Sequence, residues 1–195
     1  MSADRTWRSK SGLLMFHLEM PTGGRPSESI IRASRVFLDK VGAIGSATIM
    51  EVSTHAGGEN AFTWTDLANG VAIADRLAAH AELWRVSVSS DLRIETVDHG
   101  ELVLYRAMKF WAQTIEDDSP PDTPIELTLV LDTDIYLART WGDERDNRAL
   151  ASLNAPRFNR FFMSFLSETG AQVDSISDDD YHGQLDETGV CLAEP

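Results

Sequence analysis

Cysteine is almost missing from this chain: Cys191 is the only one in 195 residues. A lone thiol leaves no intrachain disulfide to staple the fold, and a reducing, cytoplasmic setting is the expectation. Long apolar runs are missing too. Leu13 to Phe16, the run that follows the polar N-terminus, is four residues long, whereas a membrane helix needs about 20. That run is also too short for a signal-peptide core, and no small-residue cleavage site follows it. Neither a membrane span nor a membrane-surface role is expected.

Signature motifs of chemistry are absent as well. No G-x-x-x-x-G-K-[ST] and no G-x-G-x-x-G after a strand is present, so no phosphate cradle is expected, and Gly23-Gly24 and Gly57-Gly58 read as turns. The sequence has no H-E-x-x-H, no C-x-x-C and no histidine pair at helical spacing. His80-Ala81-Glu82 matches the H-x-E of zinc deaminases, but the two cysteines that chemistry needs are not there. No G-x-S-x-G marks a nucleophile elbow. The sequence therefore nominates no catalytic residue, no metal and no cofactor.

Positive charge is scarce: 17 Lys and Arg stand against 31 Asp and Glu, for a net charge of −14. The deficit is uneven. Residues 1 to 100 hold 10 basic and 12 acidic residues, and residues 101 to 195 hold 7 and 19. Glu116 to Asp134 carries seven acids and no base, and Glu168 to Pro195 carries eight and none. Such a field repels nucleic-acid backbones and anionic membrane surfaces and favours the approach of basic partners. Arg139, Arg145, Arg148, Arg157 and Arg160 form a local basic stretch, which reads as the solvated face of the last helices. Nucleic acid is not an expected partner.

What is present is patterned for structure. From Pro124 to Ala138 the apolar residues Ile125, Leu127, Leu129, Leu131, Ile135 and Leu137 alternate with Glu126, Thr128, Asp132, Asp134 and Tyr136. Alternation places successive side chains on opposite faces, so this stretch reads as a central strand with one dry face and one wet, acidic face. Gly12 to Met20, Ala43 to Thr54, Leu83 to Val97 and Glu101 to Ile115 read as further strands, the last two joined by a turn at Asp98-His99-Gly100. Ile30, Phe37 and Val41 share a face of a helix capped by Ser27 and ended by Gly42. A second helix is expected after Thr65 or Asp66, and a short helical stretch from Asp143 to Leu153. A last helix starts near Pro156, where Phe158, Phe161, Phe162, Phe165 and Leu166 follow helical spacing. Ala171 to Ile176 reads as a final strand. The order β-α-β-α-β-β-β-α-β predicts an α+β fold, a mostly antiparallel sheet with helices packed mainly on one face. One domain is expected over residues 1–176, followed by an acidic C-terminal tail over 177–195.

Charge without a reactive constellation predicts a non-catalytic binding protein that presents acids to a basic protein partner. Its most concrete form is an immunity or inhibitor protein that neutralises a toxin in a bacterial cytoplasm. The expected contact residues are Glu116, Asp117, Asp118, Asp132, Asp134, Asp178, Asp179 and Asp180, with Trp64, Trp111, Trp141 or Tyr181 as aromatic anchors. Asp132 and Asp134, with Glu126 or Asp117-Asp118 nearby, have the ligand type of a Mg²⁺ or Ca²⁺ site but read as the wet face of a strand. An alternative is a small-ligand binder or enzyme with a pocket at His55, Glu59 and Trp64. Another is a structural subunit of a bacterial assembly.

Overall fold

The computed structural model describes residues 14–54, 62–65, 67, 73, 76–78, 83–115, 123–137, 146–177, 183–186 and 189–192. In chain order these give β1 (Leu14–Met20), α1 (Pro26–Val41), β2 (Gly45–Ser53), β3 (Phe62–Trp64), β4 (Arg85–Glu95), β5 (Glu101–Gln113), β6 (Ile125–Leu131), α2 (Arg148–Thr169), β7 (Gln172–Ser177), β8 (Gly183–Asp186) and β9 (Gly189–Leu192). Ile73 and Arg76 to Ala78 are also helical. Strands β1 to β7 form one sheet in the order β3-β2-β4-β5-β6-β1-β7, and every neighbouring pair is antiparallel. The fold is α+β, as the alternation predicts.

The register explains why the sheet has a dry side. Trp64, Met50, Val88, Phe110, Leu129, Phe16 and Ile176 are partners in turn across all seven strands, one from each. Because side chains alternate, every second residue on each strand joins that side. Both long helices cover it. Phe37 of α1 stacks on Phe110 with centroids 4.4 Å apart, and Phe165 of α2 meets Phe110 edge-on at 5.6 Å. Phe16 takes Phe162 at 4.9 Å and Phe158 at 5.6 Å. The Phe158 to Leu166 face found in the sequence is thus the seam between α2 and the sheet.

Polar side chains fix α2 at two places. Asn154 is buried, accepts the Glu95 N–H at 2.9 Å and donates to the Glu95 carbonyl at 2.9 Å. Asn147, also buried, donates to the carbonyls of Asp134 (2.9 Å) and Leu137 (3.0 Å), tying the start of α2 to the turn after β6. Gly45 lets β2 approach β4: a Cβ there would lie 1.9 Å from the Asp91 carbonyl oxygen.

Several boundaries differ from the sequence reading. Helix α1 opens at Pro26 with Arg25 at the cap, and Ser27 lies inside it, because proline's fixed φ suits the first helical position. Gly42 ends it in a right-handed conformation, φ −55°, so it is not there for a left-handed turn; Gly170, φ 72°, fills that role after α2. The expected separate stretches around Pro156 are one helix with Pro156 inside it. Proline removes one backbone bond there, and the phenylalanine seam outweighs it. Strand β6 stops at Leu131, and Ile135 to Leu137 turn inward rather than extending it. The stretch expected to be a loose tail contains the hairpin β8–β9, which lies beside β7 and α2. Among the described residues no helix is long and apolar enough to cross a membrane.

Two outcomes follow from the core. Phe110→Ala removes the ring that both helices share, and denaturant unfolding is expected to show a loss of about 3–5 kcal/mol. Tyr136, its ring 4.8 Å from that of Phe158, is desolvated, which pushes its hydroxyl well above the ordinary value. A raised folded-state value means the unfolded chain ionises first, so this contribution is complete below about pH 10 and is lost as pH rises beyond it. Tyr136→Phe is expected to flatten the alkaline fall in the denaturation midpoint.

Candidate functional site

The opposite side of the sheet is polar, and its layout follows from the same register. Moving one residue along each strand from the apolar row gives Thr63, Glu51, Ser87, Trp111, Thr128, His17 and Ser175. Beside it runs Ser53, Arg85, Gln113, Glu126, Glu19 and Gln172. On the other flank Ile49, Ser89, Lys109, Val130 and Met15 are partners in turn.

Glu19 and Glu126 are directly opposite each other across β1 and β6, and both are exposed. Directly opposed side chains on an antiparallel pair have Cβ atoms about 4.5–5.5 Å apart, and like charges there are destabilising. Gln113 Nε2 donates to Glu126 Oε2 at 2.9 Å, which holds that carboxylate without neutralising it. Among the described residues no cation lies within ion-pair distance of either glutamate. Arg85, in the same row, sets its guanidinium 4.9 Å from the Trp84 ring centroid instead.

Trp111 lies in the adjoining row, half-buried, between Ser87 and Thr128. A large aromatic on a polar sheet face, one row from an unneutralised carboxylate pair, combines the two features of an interface anchor: rigid apolar area and nearby charge. Further along the same face Lys109 Nζ is 3.4 Å from Asp132 Oδ2. Asp132 Oδ1 is buried and, among the described residues, accepts no hydrogen bond. A buried acceptor without a donor costs about 1–3 kcal/mol, so this carboxylate is only half satisfied.

The residues nominated from the sequence fall in different places. Asp132 and Asp134 are 5% and 1% exposed. Neither is part of an open acidic surface, because β6 ends at Leu131 and the chain folds inward after it. Asp134 sits where its carbonyl receives Asn147, and it does not share a strand face with Asp132. Trp64 is half-buried on the helix-covered side, packed against the core, and so on the other face from Trp111. Glu116, Asp117, Asp118, Asp178, Asp179, Asp180, His55, Glu59, Trp141 and Tyr181 lie outside the described residues. Among the described residues no three His, Cys, Asp or Glu side chains converge on a point. Glu19, His17, Gln113 and Lys109 are the site residues that the sequence reading passed over.

No protein-family model matches the chain, and neither curated proteins nor solved structures include one similar to it. The reading of the site therefore rests on its geometry.

Repulsion across β1 and β6 is measurable in the free protein. Glu19→Gln is expected to raise stability by about 0.2–1 kcal/mol at low ionic strength, the gain shrinking as salt is added. Urea midpoints at two salt concentrations check it.

Proposed function

We propose that this chain is a non-catalytic acidic protein that docks on a basic protein partner through the polar face of its sheet. An inhibitor or immunity protein that covers a toxin in a bacterial cytoplasm is the most concrete form of that role. The observation that carries the reading is the pair Glu19 and Glu126, in register, exposed and with no cation beside them among the described residues, one row from the half-buried Trp111. A carboxylate pair that is costly alone becomes favourable when a partner's guanidinium or ammonium enters between them.

Charge on the helices supports the same orientation. Helices α1 and α2 carry Arg32, Arg35, Lys40, Arg148, Arg157 and Arg160 against Glu28, Asp39 and Glu168, so the helical layer is net cationic within a chain of net charge −14. A basic partner is turned away from that layer and drawn to the other side. Opposed layers of this kind steer an encounter as well as strengthen it.

The test separates the site from bulk charge. A Glu19→Gln/Glu126→Gln double variant and a Glu95→Gln/Glu101→Gln control change net charge equally, and Glu95 and Glu101 are likewise in register, at the far end of β4 and β5. Stopped-flow association with a nona-arginine peptide is expected to slow about threefold or more in the first variant and to lose much of its salt dependence. The control is expected to change little. Equal effects from the two variants would sink the assignment of the face.

A further inference from the structure

We draw no further inference here: the strongest candidate, the stretch of β5 that runs on past the end of β6 and exposes Val103 and Tyr105, carries nothing because nothing in the structure shows what covers it.

Discussion

Phe110 is where the fold closes. It is the middle member of a row that takes one side chain from each of seven strands, and it is the ring on which α1 and α2 both close, through Phe37 and Phe165. Burial of large apolar side chains supplies the main favourable term in folding. That term is available here only if all seven strands keep the register that aligns the row. A slip of one residue in any strand would carry its apolar set to the wet side. The helices thus enforce the register from one side only.

Fixing one face fixes the other. Phe110 held against Phe37 and Phe165 puts Trp111 on the opposite side of β5, and Phe16 and Leu129 held in the same row put His17 and Thr128 beside it. The glutamates follow two residues further on. Among the described residues no hydrogen bond or ion pair on the polar face brings Glu19 to Glu126; the core does it. The polar arrangement is therefore a consequence of apolar packing, and it persists although it is locally unfavourable.

Much of this was legible in the sequence. Alternation marked the strands, the spacing of Phe158 to Leu166 marked the helix that covers the sheet, and the order of elements predicted an antiparallel α+β fold. Pairing was not legible. The sequence shows that Glu19 and Glu126 are each on the polar side of a strand, but β1 and β6 are separated by more than a hundred residues, and nothing local says that they are neighbours in register. The reading of Asp132 and Asp134 as a wet acidic edge failed for a related reason. Alternation continues through both residues, and what ends the strand is the buried docking of Asn147 onto the turn, a tertiary contact. Strand β3 is three residues long, too short to carry a period. Gly45 read as part of an unremarkable strand, because its close approach to Asp91 depends on a partner strand that the sequence does not name.

Local physics is violated at several places: Ser34, Ser90, Thr114, Asp132 and Thr133 each bury a side-chain oxygen with no partner among the described residues, and two glutamate pairs stand in register. Natural sequences agree with their folds at most positions, and the exceptions gather where a function needs them. The core side is apolar along most of its rows, with Ser90 buried in the row of Met108, Leu131 and Leu14. The exposed side keeps a like-charge pair at Glu19 and Glu126, although one glutamine would ease it, and just past β6 a buried oxygen of Asp132 has no donor among the described residues. Both are negative; Glu126 is on β6, Asp132 follows its last residue, and Trp111 pairs with Thr128 between them. Solubility alone asks for exposed charge, which loops and helix surfaces provide without repulsion. Carboxylates stand in register twice in this sheet, at Glu19 and Glu126 and at Glu95 and Glu101; Arg157 is 3.6 Å from Glu95, whereas among the described residues the first pair has no cation. Under the docking reading proposed above, a partner's cation entering between Glu19 and Glu126 would relieve that repulsion, which is why the pair carries the proposal.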